Sequence, residues 1–397
     1  MANTILSVFT RPMARSYLKS LNNIPMFLVH NRSIVCPELL GIRCLFAKAA
    51  LGIDGYIQMQ EQIRNQMASV ADRFKEKMLE YSAENSNNMI FTEDLKNMVH
   101  LADSDDDIKV VINMIKKYNK QNKSMRFGNY IFGPVVMRMF HIHKKADLAL
   151  ECFKSPELSN FFDQYGSYQI LCDILYESQK YKEVLETVQI IKEKQGEGLR
   201  YPKNVIVLAL ASCYKMNTKE SLEYALKLWH ELREIGHYPT RKATTFCTAL
   251  AINQGKPEIA LEILSSARNS GYTTVRNLRV LALSMIGRIE DIIPILKSVL
   301  RVDSPEGQLH TFNRDVLAKV KEAVDLSENH QVILEFTRLM ELFEKQKLIS
   351  EQTLDNDLCT EIQISRSNQN NQMQFLSRRP QQKFQRPVER PSLYDLV

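Results

Sequence analysis

Repetition at intervals of 32 to 41 residues predicts an all-α fold, a solenoid of stacked helical hairpins with helical caps and disordered termini. Three observations carry that expectation. Ser167 to Ile191 (SYQILCDILYESQKYKEVLETVQII) runs from a small, aromatic, polar start into an apolar helix, turns at Ser178-Gln179 and ends in a second amphipathic helix. Ala243 to Ala267 (ATTFCTALAINQGKPEIALEILSSA) repeats the plan. A small or apolar pair on the second helix recurs as Ala149-Leu150, Val184-Leu185, Ala225-Leu226, Ala260-Leu261 and Ile292-Ile293, at spacings of 35, 41, 35 and 32 residues. A unit of this size cannot bury its own apolar face, so neighbours must stack into a quasi-one-dimensional array with a long concave surface.

Residues 1–47 read as a mitochondrial transit peptide. Arg11, Arg15, Lys19 and Arg32 stand among Ser7, Ser16, Ser20, Ser33 and apolar residues, and no acid occurs in the first 37 positions. An import helix is basic, apolar and poor in acids, whereas a secretory signal needs one unbroken apolar core. Removal is expected near Arg43 to Ala47; the alternative is a basic N-terminal helix that stays attached.

Residues 48–128 are expected to cap the array. Ile63, Met67, Val70, Phe74 and Met78 fall at helical spacing, as do Phe91, Leu95, Met98 and Val99. The acidic run Asp103 to Asp107 precedes Ile108 to Tyr118, where it is expected to cap and charge-stabilise a helix start; the alternative, a divalent metal site, lacks a second acidic cluster in the sequence to complete it. Lys116, Lys117, Lys120, Lys123 and Arg126 form a basic run, either phosphate-contacting or simply a solvated helix end.

The repeat array is assigned to residues 129–305 and a closing helical cap to 306–360, with helices over Phe312 to Val324 and Val332 to Phe343. Residues 361–397 turn into a basic mixture rich in Gln, Asn, Arg and Pro that cannot bury enough apolar surface to fold. Its Arg378, Arg379, Lys383, Arg386 and Arg390 either attract RNA without sequence preference or only solubilise the chain.

Several function classes are disfavoured. The longest apolar run, Val205 to Ala211, is far short of the roughly 20 residues that span a bilayer, so no membrane span is expected. The seven cysteines form no C-x-x-C pair and read as reduced core thiols. Net charge is +6, but residues 1–48 carry +5 and residues 365–397 carry +4, which leaves −3 on the stretch between. Nucleic-acid binding by that body therefore needs a segregated basic face. A P-loop, a G-x-S-x-G elbow, an H-E-x-x-H helix and a dinucleotide glycine fingerprint are not found, so catalysis is not expected. His141-Ile142-His143 is the nearest approach to a ligand pair, but residues two apart on a helix diverge, so a helix end is expected there and no metal.

Asn253-Gln254-Gly255 through Glu258, Ala260-Leu261 and Ile263-Leu264, with Ser167-Tyr168-Gln169 and Leu171, carry a resemblance. On these residues the chain resembles the pentatricopeptide repeat family, over most of residues 45–360. Tetratricopeptide repeats, which bind proteins, are the alternative, but their W-x2-L-G-x2-Y signature is not found in these units.

The resemblance implies a right-handed α-solenoid in the mitochondrial matrix that binds single-stranded mitochondrial RNA and acts in RNA processing, maturation or stability, with RNA-processing proteins as further partners and no cofactor. It also implies that first helices line the concave face, where one polar residue per unit reads one base. Carried over, that position falls on Gln169, Thr245 and Asn277; its counterparts near Pro134 and Val207 have no hydrogen-bonding side chain. Arg276 and Arg279 flank Asn277, and Arg241-Lys242 precede Thr245, which locates the RNA at the fourth and fifth units. Three bases at about 1 to 3 kcal/mol each compare with ~8 kcal/mol for a micromolar complex, so phosphate contacts or a partner must add affinity. The rival reading is a protein-binding scaffold, favoured by the near-neutral body and the missing readers.

Overall fold

The computed structural model describes residues 44–83, 85–125, 130–194, 201–267, 271–300, 311–327 and 329–363. The expected transit peptide up to position 43, the side chains of Lys123 and Arg126, and the tail from position 364 on lie outside the described residues.

The fold is an all-α helical-repeat solenoid. Among the described residues five helices open it: α1 (Lys48–Leu51), α2 (Ile53–Met67), α3 (Ala71–Ser82), α4 (Thr92–Leu101) and α5 (Asp105–Met125). The stripe from Ile63 to Met78 is divided between two helices, because α2 packs on α4 whereas α3 packs on α5. Val70, at the break between them, is exposed. The acidic run caps α5 as expected: Ser104 Oγ accepts from Asp107 N–H at 3.1 Å, and Asp107 Oδ2 accepts from Asp103 N–H, also at 3.1 Å. Its charges meet Arg64, Lys75 and Lys145. Within the basic run, Lys116 pairs with Glu157, and Lys117 donates to the carbonyls of Tyr81 and Ser86, both at 2.7 Å.

Five hairpins follow. Their first helices are α6 (Gly133–Ile142), α8 (Tyr165–Glu177), α10 (Lys203–Met216), α12 (Arg241–Asn253) and α14 (Thr273–Ile286). Their second helices are α7 (Ala146–Lys154), α9 (Tyr181–Lys194), α11 (Lys219–Glu234), α13 (Pro257–Ser265) and α15 (Ile292–Leu300). First helices pack on one another in chain order, which is the stacking that a unit too small for its own core requires. The first member of the recurrent pair on the second helix is buried in every unit: Ala149, Val184, Ala225, Ala260 and Ile292 are all 0% exposed.

Each hairpin turns through one left-handed residue, at Lys144, Gln179, Asn217, Gly255 and Gly287, with φ between 49° and 82°. In four of them the next N–H returns to the carbonyl five residues back: Lys145 to Phe140, Lys180 to Leu175, Lys256 to Ala251 and Arg288 to Leu283. That is the Schellman closure of a helix end, and it lets the chain reverse at once into the second helix. The entry to α6 is tighter still. A Cβ at Gly133 would lie 2.6 Å from Ser167 Oγ and 2.8 Å from the Phe161 carbonyl, so only glycine lets α6 approach the start of α8 this closely.

The close of the array is a two-residue parallel pairing of β1 (Phe312–Asn313) with β2 (Ile349–Ser350), flanking α16 (Arg314–Asp325) and α17 (His330–Lys345). Helix α16 packs on α14 and α17 on α15, continuing the array. A short helix, α18 (Leu354–Leu358), follows. The described chain continues past position 360, where Ile362 pairs with Phe46, donating to the Leu45 carbonyl at 2.9 Å and accepting from Ala47 N–H at 3.1 Å.

Candidate nucleic-acid interface

Gln169, Thr245 and Asn277 are each the fifth residue of a first helix, as is Val207 in α10, so the unit register inferred from sequence is structurally consistent over these four. The fifth residue of α6 is Met137, which displaces Pro134 from the series. Accessibility is another matter. Asn277 is 0% and Thr245 1% exposed, so neither presents its side chain to a ligand. Asn277 Nδ2 donates to the Thr273 carbonyl at 2.9 Å and its Oδ1 accepts from Asn313 N–H at 3.0 Å, while Thr245 Oγ1 donates to the Lys242 carbonyl at 3.0 Å. Both are internal hydrogen-bonding residues instead of base readers. Gln169 is half-buried and accepts from Asn204 Nδ2 at 2.9 Å; its Nε2 has no hydrogen-bond partner among the described residues.

The four cations separate in the same way. Arg276 is buried, with Nη2 donating to the Gly271 carbonyl at 3.1 Å and its guanidinium 5.6 Å from the Phe312 ring centre. Arg279 is half-buried and reaches the Leu264 carbonyl at 3.3 Å. Lys242 donates to the carbonyls of Leu358 at 2.8 Å, Thr360 at 2.9 Å and Asp357 at 3.3 Å, so it caps α18. Burial, assisted by the Arg241 charge, holds its pKa down at about 8. Arg241 differs: it is exposed, and its guanidinium lies 3.8 Å above the ring of half-exposed Tyr272.

Arg241 belongs to a cleft of about 560 Å³ between the entries to α12 and α14, with Arg233, His237 and Tyr238 on its wall. Gly236, at φ 77°, turns the chain there, and Tyr238 is 66% exposed. This is basic-aromatic chemistry: planar groups for stacking a base and guanidinium donors for a phosphate. Sequence reading found Arg241 but not Tyr238 or Tyr272; their nearness to an arginine-led helix start was the available signal.

Helix α18 and the residues after it lie along the first helices. Tyr214 Oη donates to Asp355 Oδ1 at 2.9 Å, Lys215 reaches the same carboxylate at 3.2 Å, and Asn313 Nδ2 donates to Asp357 Oδ2 at 2.6 Å. Part of the face predicted to hold RNA thus carries an acidic stretch of the chain itself.

A second cluster escaped the sequence reading. His141 does end α6, as expected, but its Nε2 meets Asp173 Oδ2 at 3.1 Å and Glu177 Oε2 at 3.6 Å on α8. Burial pushes the Asp173 carboxyl up to about 6 against the pull of His141. The signal was the spacing of Asp173 and Glu177, four apart within an apolar helix. The core-thiol expectation fits the buried Cys152, Cys172, Cys213, Cys247 and Cys359, but Cys44 is exposed and lies beside Glu177; Cys36 lies outside the described residues. Among the described residues, no helix is long and apolar enough to cross a membrane.

Compared with protein-family models, the chain matches none. It is similar to curated proteins named "Pentatricopeptide repeat-containing protein 2, mitochondrial". The Mus musculus protein is 32% identical over 283 residues, 71% of this chain and 73% of that protein. The Homo sapiens protein is 32% identical over 244 residues, 60% of this chain and 61% of its own length. The Danio rerio protein is 30% identical over 276 residues, 69% of this chain and 70% of its own length.

Proposed function

The chain belongs to the family of mitochondrial pentatricopeptide repeat-containing protein 2, and from that premise we propose that it binds single-stranded RNA in the mitochondrial matrix, in the service of RNA processing, maturation or stability. The observation that supports this reading best is the stacking of Arg241, which lines the cleft, on the ring of Tyr272. Arginine held flat against a ring keeps its N–H edge for a phosphate, and the neighbouring Tyr238 offers a second face to an unstacked base. Recognition through one such cleft is mainly electrostatic and stacking in character, so affinity falls as salt rises. No catalytic role is part of the proposal: the array shields a segment of RNA or presents it to another protein.

The test is fluorescence anisotropy with mixed-sequence single-stranded RNA across a salt series, comparing the wild type with Arg241→Ala and Tyr272→Ala. Weaker binding in both, with a shallower salt slope for Arg241→Ala, supports the cleft. Equal affinities and slopes contradict it.

One observation favours the scaffold reading. Asp355, Asp357 and the carbonyls they accompany show that the first helices accommodate an acidic polypeptide. A fixed protein partner that survives nuclease treatment, in a chain that retains no RNA, would establish that alternative.

A further inference from the structure

The residues His141, Asp173 and Glu177 meet where the first helices of the first two units touch. Asp173 and Glu177 are one turn apart on α8, so both carboxylates share the side facing α6, whose last turn supplies the imidazole. His141 Nε2 stands 3.1 Å from Asp173 Oδ2 and 3.6 Å from Glu177 Oε2, and one ligand atom from each residue lies within 4.8 Å of the other two. Ligands about 2.0 to 2.1 Å from a tetrahedral ion are roughly 3.3 Å apart. The two separations from His141 bracket that edge, and the third, between the carboxylates, is within 4.8 Å.

A second observation points to a ligand. The Asp173 side chain is 0% exposed, and its Oδ1 has no hydrogen-bond partner among the described residues. Buried carboxylate oxygens are ordinarily paired, since an unpaired one keeps the full cost of its lost hydration. His141 occupies only the other oxygen. A cation held between the three side chains and bound by both Asp173 oxygens would pair Oδ1 as well as Oδ2, and the partial exposure of Glu177, at 24%, gives an ion a way in.

We propose that His141, Asp173 and Glu177 form a zinc site that fastens α6 to α8, with the fourth position taken by water. Imidazole with two carboxylates suits zinc better than calcium or magnesium, which take oxygen ligands in larger number. The nearby opposing charge is Lys48, against two carboxylates. The inference is independent of the RNA-binding reading, because the site is built between packed helices and not in the basic cleft.

The experiment uses the full chain, freed of metal by chelation and then given zinc chloride alone. Zinc retained after gel filtration is measured by elemental analysis, and cobalt is substituted to read the coordination geometry from its visible absorption. One metal per chain and a tetrahedral cobalt spectrum are expected. Glu177→Gln should lower zinc affinity by about 10-fold or more while leaving the melting temperature of the metal-free protein unchanged, and His141→Gln should lower zinc affinity likewise. Failure to retain zinc, or equal retention by the wild type and Glu177→Gln, overturns the proposal. Should His141→Gln fail to fold, the partly exposed Glu177→Gln decides.

Discussion

Asn277 and Asn313 are joined inside the fold, where the Asn277 Oδ1 accepts the backbone N–H of Asn313 at 3.0 Å and both residues are 0% exposed. The amide of a nominal base-reading position thereby anchors the chain as it enters the closing hairpin. Asn277→Ala leaves that buried N–H unpaired, which costs about 1 to 3 kcal/mol. Urea unfolding should show a lower midpoint with an unchanged slope, and RNA affinity of the folded variant should stay at the wild-type value. An unaltered midpoint with lost RNA binding would return Asn277 to the reading surface.

Local pattern was enough to reveal the hairpins, because each second helix must place a small or apolar residue at the same contact and each turn must end in a left-handed residue. Ala149, Val184, Ala225, Ala260 and Ile292 could therefore be found by spacing. Burial of the reader positions was not legible. What covers Asn277 is Asn313, and what engages Lys242 is the carbonyl end of α18, in both cases by segments more than 30 residues away in sequence. The His141 cluster was hidden for a similar reason, since its residues come from different units and the adjacent His143 drew attention to the wrong pairing.

Lys242 offers a test by pH. Its folded pKa is depressed to about 8 by burial and the Arg241 charge, below the ordinary 10.5. Between those values the unfolded chain binds a proton that the folded chain does not, so stability contributed at this site increases as pH rises from about 8 to 10.5. The unfolding free energy of the wild type minus that of Lys242→Met should therefore climb across this window. A flat difference would mean that the three carbonyls hold the ammonium charged throughout.

Gly133→Ala should destabilise the protein by about 1 to 3 kcal/mol through overpacking against Ser167 and the Phe161 carbonyl. Thermal unfolding measures it. Gly55→Ala is the matched control, because its added methyl meets nothing within 4 Å, and it should be neutral or slightly stabilising. Equal melting temperatures for the two variants would show that α6 and α8 can part at no cost.

Substitution of Arg241 or of its ring partner Tyr272 should leave stability within about 0.5 kcal/mol, as surface changes do, and act on RNA alone. Arg241→Ala removes one phosphate contact and should reduce the magnitude of the salt slope by about 0.7. Tyr272→Ala frees the Arg241 guanidinium from its ring and should weaken binding by less than Arg241→Ala does, with little change of slope. Parallel losses in melting temperature would assign both residues to packing.

The most direct measurement is crosslinking in intact mitochondria, followed by denaturing purification and sequencing of the attached RNA, for the wild type and for the Arg241→Ala, Tyr272→Ala double variant. Reproducible enrichment of a defined transcript segment, reduced in the double variant at equal protein abundance, is the predicted result. A matrix-localised wild type with no RNA above background, bound instead to a protein partner after nuclease treatment, would contradict RNA binding as its function.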